Sequence, residues 1–374
     1  MKIDLLYELE LPKPWAEGQR KGEQRVYREA LEQIELADKL GFSTVWMVEH
    51  HFRVERSHCS APEVFLGAAS QRTKNIRMGH GVALLPKPFN HPVRLAERAA
   101  ALDILSNGRV EFGTGRSTLF EQDGFCVDVK ESVAQWEEAL AMIPKMWTEE
   151  KFSHKGKYWE VHERGIVPQP MQDPHPPLWT AATSDERQLR AGELGIGTLG
   201  LTLFQSLEAC AGRIKLYRKG LENVKPVGKF VNNRFAAYTN VHCAETQQKC
   251  KDNGIYECLS WFYQHLAKST LEWEGALWSE KDRAQRFPGM EKWARGDFNL
   301  DDFNAQDQIL IGDPDQLIRK MEHYEEIGVD QLICYMQFGG LKHEHVMKSI
   351  ELIGKHVIPH FAEREKRNPR RAAA

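Results

Sequence analysis

No stretch of this sequence approaches the roughly 18 uninterrupted apolar residues of a membrane span, so no membrane helix is expected. A dominant charge is missing too: 50 basic residues stand against 53 acidic ones, for a formal charge of -3. No strong field therefore favours nucleic acid or an anionic lipid surface, and the expected partner is a small molecule. Cysteine is sparse and unpatterned, with seven residues and no CxxC pair, which excludes a disulfide scaffold and reads as reduced thiols. The amino terminus lacks a basic segment followed by a long apolar stretch, so no export signal is expected and the protein reads as cytoplasmic. What is present is ordinary: 41% hydrophobic and 28% charged residues, enough to fill one barrel core and cover its helices over residues 1–374.

Short apolar runs of β character alternate with amphipathic helical segments, a pattern that predicts a parallel sheet covered by helices. Strands are expected at 2–8, 43–48, 76–84, 109–114, 177–182, 197–201, 230–241 and 330–337. Helices are expected at 23–40, 62–72, 92–105, 130–149, 184–194, 206–220, 245–268, 314–327 and 342–360. Eight strands with intervening helices read as a single TIM (β/α)8 barrel. Residues 151–176 form an excursion, 270–308 fit neither period and read as an insertion or lid, and 361–374 read as a solvated tail.

In such a barrel the reactive side chains belong at the carboxyl ends of strands. Glu49-His50-His51-Phe52 follows the apolar run Thr44–Val48; two histidines beside a carboxylate suit proton transfer or metal binding, and equally a strand-end cap. Later strand ends, Thr114, Ala182 and Met336, offer few ligands, which argues against a metal. Phe112-Gly113-Thr114-Gly115-Arg116-Ser117 lets the backbone approach a ligand and supplies a cation, as a phosphate site requires. Ala182-Thr183-Ser184 open a helix, where free N–H groups and two hydroxyls favour an anion, although a routine helix cap would look the same.

These motifs, with Leu85-Pro86, His91-Pro92-Val93-Arg94, Ala96-Glu97, Asn107-Gly108-Arg109, Gly312-Asp313-Pro314 and Val357-Ile358-Pro359, resemble in order and spacing the bacterial luciferase α subunit and its flavin-dependent monooxygenase relatives. The resemblance implies reduced FMN (FMNH2) bound at the carboxyl face, delivered by a separate flavin reductase, and reaction of a small organic substrate with O2 through a C4a-peroxyflavin. It implies phosphate contacts at Arg116, Ala182, Thr183 and Ser184, with Gly115 beside them in the cofactor site. It also implies a non-proline cis peptide under the flavin at Gly81-Val82, and a catalytic role for His50 with Glu49 and His51 orienting it. No metal is implied.

The luciferase cysteine before the phosphate-binding arginine is Gly115 here and the strand-five glutamate is Ala182, which points away from light emission and a long-chain aldehyde. Two alternatives remain open: an F420-dependent oxidoreductase of the same superfamily, or a non-catalytic flavin-binding subunit. Small residues Ala61, Ala68, Ala69, Ala96 and Ala99–Ala101 line two helices whose counterparts form the dimer interface in luciferases, so a homodimer or heterodimer is expected.

Overall fold

The computed structural model describes residues 1–203, 205–273 and 289–367. In chain order the strands are β1 (Lys2–Tyr7), β2 (Thr44–Met47), β3 (Arg77–Leu84), β4 (Val110–Gly115), β5 (Phe152–Lys155), β6 (Glu160–Arg164), β7 (Leu178–Ala182), β8 (Gly197–Leu201), β9 (Phe235–Cys243), β10 (Leu310–Gly312) and β11 (Gln331–Tyr335). Strands β1-β2-β3-β4-β7-β8-β9-β11 pair in parallel in that order, and β11 closes on β1. The fold is a TIM barrel, and all eight expected strands are its staves.

The helices are α1 (Gln19–Leu40), α2 (Pro62–Arg72), α3 (Pro92–Leu105), α4 (Leu119–Gly124), α5 (Ser132–Thr148), α6 (Asp185–Glu193), α7 (Leu207–Leu221), α8 (Gln247–Asp252), α9 (Ile255–Trp273), α10 (Met290–Ala294), α11 (Leu300–Ala305), α12 (Pro314–Glu326), α13 (His343–Leu352) and α14 (Ile358–Arg367). The first shows why they form. Val26, Ala30, Ile34 and Ala37 bury one stripe of α1 on the sheet, and Gly41 at φ 87° ends the helix with its N–H on the Ala37 carbonyl.

Four details depart from the sequence reading. The 151–176 excursion contains the antiparallel β5–β6 hairpin. The expected helix 245–268 is two helices broken around Gly254, whose φ of 77° no α-helix accommodates. Strand β9 starts at Phe235 rather than 230, because Asn232 turns aside to donate to the Leu178 carbonyl at 3.0 Å. The last helix continues through a π turn at Ile353–Val357 to Arg367. Of the insertion expected at 270–308, residues 274–288 lie outside the described residues, while the remainder carries α10 and α11.

The barrel interior is plugged below its carboxyl end. Trp46 and Trp179 cross it edge to face, ring centres 5.3 Å apart, on ground cleared by Gly79 and Gly197, where any Cβ would lie 2.4 Å from an indole atom. Their N–H groups donate to Asp4 at 2.9 Å and Glu111 at 2.6 Å. Buried indoles are thereby satisfied, as their polar edge requires, and the plug forms the floor of the open mouth. Helix α9 lies over one part of that mouth: Phe262 packs on Tyr335 and Phe338, and Trp273 near its other end packs on Phe120 at 4.5 Å.

Candidate active site

The chain leaves β2 through Val48 directly into Glu49, His50 and His51. His50 Nδ1 lies 2.7 Å from Oε1 of Glu121 on α4, and the His51 backbone N–H donates to the same oxygen at 2.9 Å. The other oxygen, Oε2, accepts from the hydroxyls of Ser117 and Thr118. Burial opposes ionisation of Glu121, but His50, Arg53 and the Ser117 hydroxyl outweigh it and hold the carboxyl well below its ordinary range. An ionised carboxylate only accepts, so the proton of the pair sits on Nδ1 of His50 and Nε2 is left to take or give a proton. The His50 side chain is partly open while Glu121 is fully enclosed.

Sequence reasoning gave the orienting role to Glu49 and His51; the structure gives the contact with His50 to Glu121. The Glu49 carboxylate accepts from the Leu84 N–H at 2.9 Å and from Asn90 Nδ2 at 3.0 Å, fastening the end of β2 to the end of β3, and lies 3.4 Å from His51 Nε2. His51 is packed among Phe89 and Phe125. Glu121 is marked in the sequence only by Thr118-x-x-Glu121, which reads as a capping box and is one.

The Gly81-Val82 peptide is cis, at the position expected from the resemblance. Gly115 stands against it: a Cβ there would lie 2.4 Å from Val82 Cγ2. A β-branched side chain has little rotamer freedom to withdraw, so the residue that replaces the luciferase cysteine has to be glycine in this packing.

Arg116 follows Gly115 and donates from Nη1 to Ser132 Oγ at 2.7 Å. On the neighbouring β7, Ala182 is buried and its carbonyl is held by Gln188 at 2.7 Å. Thr183 is exposed, and Ser184 caps α6 without a side-chain hydrogen bond to it. Arg213 on α7 comes to the same place, donating to the Thr183 carbonyl at 2.9 Å and standing 3.7 Å from Asp185. The start of α6 with the Arg213 guanidinium, beside Arg116 at the end of the adjacent strand, suits a phosphate. Gly113 and Gly115, expected to open the backbone to a ligand, are instead glycines because a Cβ would meet the His80 carbonyl at 2.1 Å and Val82 Cγ2 at 2.4 Å. Nothing in the sequence singles out Arg213 from the other basic residues of α7.

A second polar group at the mouth was also unmarked. Arg56 pairs with Glu8 at 2.9 Å, and Glu10 accepts from Tyr335 Oη at 2.6 Å and the Gly339 N–H at 2.5 Å. Burial, aided by the Glu8 charge, pushes the Glu10 carboxyl up to about 8. Among the described residues no three His, Cys, Asp or Glu side chains converge as a metal site would require, and no helix is long and apolar enough to cross a membrane. A groove of about 500 Å³ on the outer wall, lined by residues such as Glu137, Tyr158 and Arg190, shares no residue with these clusters.

A family model described as luciferase-like monooxygenase matches residues 12–331. The chain belongs to that family. Among its relatives, the oxygenase component of the flavin-dependent trigonelline monooxygenase of Acinetobacter baylyi is 25% identical over 346 residues, covering 91% of each chain. An F420-dependent glucose-6-phosphate dehydrogenase of Beutenbergia cavernae is 31% identical over 318 residues, 84% of this chain and 88% of that one. The solved oxygenating constituent of 3,6-diketocamphane monooxygenase from Pseudomonas putida, in complex with FMN, superposes with a TM-score of 0.73 at 21% identity, covering 96% of this chain and 98% of that one. The luciferase-like family thus spans flavin monooxygenases and F420-dependent oxidoreductases, and this member shares their barrel.

Proposed function

We propose that the protein is an FMNH2- and O2-dependent monooxygenase, the oxygenase part of a two-component system fed by a separate flavin reductase, acting on a small organic substrate. The observation that carries this reading is the His50–Glu121 pair at the end of β2, set in the same mouth as a phosphate-type cradle at the ends of β4 and β7. The donor set fits FMN: Arg116, Arg213, Thr183 and Ser184 would hold the phosphate, and the Gly81-Val82 segment would underlie the ring.

When bound, the reduced flavin supplies the activation of oxygen. The protein's share is positional and protic. Glu121 fixes the ring of His50 and keeps its Nδ1 protonated, so that Nε2 receives or delivers a proton beside the reacting atoms. Helix α9, anchored by Phe262 on one side and Trp273 on the other, would restrict water at the mouth. The name of the trigonelline relative, an oxygenase component, supports the need for a reductase.

The test is direct: the protein is given enzymatically supplied FMNH2, O2 and a library of small organic compounds, and product oxygen is traced with 18O2. Label in a product establishes monooxygenation; the absence of any labelled product overturns the reading. A second reading, hydride transfer with F420, is favoured by the 31% identical dehydrogenase. Parallel titrations with FMNH2 and reduced F420 separate the two, since submicromolar binding of F420 alone would favour the second.

A further inference from the structure

The geometry points to a recognition site for an uncharged, oxygen-bearing organic substrate, its carbonyl or hydroxyl held between Tyr238, Asn240 and the Glu8–Arg56 pair. The inference rests on the barrel-mouth active site proposed above and specifies the chemistry of what enters it. Round the closed barrel, β1 stands opposite β7 and β11 opposite β4. The β9–β11–β1 sector therefore lies across the mouth from the residues that would hold a phosphate, with His50 at the end of the adjacent β2.

In that sector the side chains of β9 alternate. Thr239 turns outward to donate to the Gln308 carbonyl, whereas the Tyr238 ring lies 5.7 Å from that of Tyr335 inside the mouth. Asn240, two residues further on and paired in register with Tyr335, shares the inward face. Its amide is 0% exposed, yet neither its oxygen nor its nitrogen has a hydrogen-bond partner, and the Tyr238 hydroxyl and Glu8 Oε2 are in the same condition. Buried amides are almost always paired, so this one calls for a ligand oxygen or an ordered water.

Charge selects among ligands. Arg56 neutralises Glu8 at 2.9 Å, with Arg56 Nε, like Glu8 Oε2, left without a hydrogen-bond partner as a further donor towards a neutral oxygen, while both oxygens of Glu10 are engaged by Tyr335 and Gly339. An ammonium group meets Arg56 and a carboxylate meets Glu8, so neither finds an unshared counter-charge. A neutral carbonyl or hydroxyl meets the two Asn240 N–H donors and the Tyr238 hydroxyl, with Phe262 and Tyr335 as apolar walls.

Four six-membered-ring probes that differ in head group test this: cyclohexanone, cyclohexylamine, cyclohexanecarboxylate and methylcyclohexane, their dissociation constants read by saturation-transfer NMR on the full-length protein. Cyclohexanone is expected to bind tightest, and Asn240→Leu and Tyr238→Phe are each expected to weaken it by about fivefold, the loss of one hydrogen bond. Tyr238→Phe removes a single atom and keeps the inference testable if Asn240→Leu does not fold. Preference for the amine or the acid, no binding of cyclohexanone at millimolar concentration, or unchanged affinity in the folded variants would overturn it, the last meaning that water satisfies the amide. FMN is titrated into the same samples. Normal FMN affinity with failed probes sinks this inference alone; failed FMN binding with the expected probe order sinks the flavin reading alone.

Discussion

His50 and Glu121 lie 71 residues apart in the chain and 2.7 Å apart in space, Nδ1 to Oε1. Glu121 touches no expected position of cofactor or substrate and works through the imidazole. Glu121→Gln keeps the shape and part of the cap on α4 but loses the charge that fixes the histidine's proton. Turnover is expected to fall roughly 10- to 100-fold, part of the roughly 10²–10⁴-fold that a positioned proton-transfer group contributes, while the FMN dissociation constant stays within about twofold. Equal losses in both measurements would reduce Glu121 to a structural cap.

The phosphate cradle makes its own prediction. Arg116→Ala and Arg213→Ala are each expected to weaken FMN roughly 10- to 100-fold, the effect of one charge-assisted contact. Riboflavin, which has no phosphate, should bind wild type and variants alike. Fluorescence titration with both flavins decides the matter; a parallel loss for riboflavin would place the arginines elsewhere in the site.

Glu10 sets a pH dependence. Its carboxyl is raised by burial from 4.5 to about 8, so the folded protein holds a proton that the unfolded chain releases. The stability contributed by that proton is fully present below about 4.5 and is lost as pH rises through about 8. Between pH 5 and 9 the wild-type melting temperature should therefore decline more steeply than that of Glu10→Gln. Superimposable curves would show that Glu10 titrates normally.

At Gly115 the expectation is steric. Gly115→Ala places a methyl 2.4 Å from Val82 Cγ2 and should cost about 1–3 kcal/mol, as overpacking does. Urea denaturation measures this directly, and an unchanged midpoint would show that Val82 yields.

The eight staves were legible because each is a short apolar run between helical periods, and the placing of His50 and Arg116 at strand ends because they follow those runs directly. Glu121 and Arg213 were not, since each sits on a helix whose local pattern has a complete explanation without the site: one caps α4, the other is one of several basic residues on α7. Asn240 is hidden for a different reason. Inside a continuously buried strand, direction is fixed by register with β11 and not by any local alternation of polarity. The two-part helix α8–α9 was read as one because a single glycine inside a helical period is often tolerated.

Of the small residues noted in the sequence, Ala69, Ala96, Ala99 and Ala100 are buried against the barrel, which leaves Ala61, Ala68 and Ala101 with the exposed Val64, Ile104 and Leu105 on the outer side of α2 and α3. A dimer through these helices is expected. Analytical ultracentrifugation should give twice the 43.0 kDa chain mass at micromolar concentration and a shift to monomer for Val64→Asp with Leu105→Glu. A wild-type monomer would reject the interface.

Glu49 stands immediately before His50 and grips Leu84 and Asn90 with one carboxylate. The strand that carries the cis peptide and the loop that carries the histidine are therefore gauged from a common datum, as two machined faces are when cut in one setting. Displacements of one are transmitted to the other, so their spacing varies less than either position does alone. The working gap between platform and proton carrier is thereby set by one carboxylate, whatever the loops farther round the mouth do.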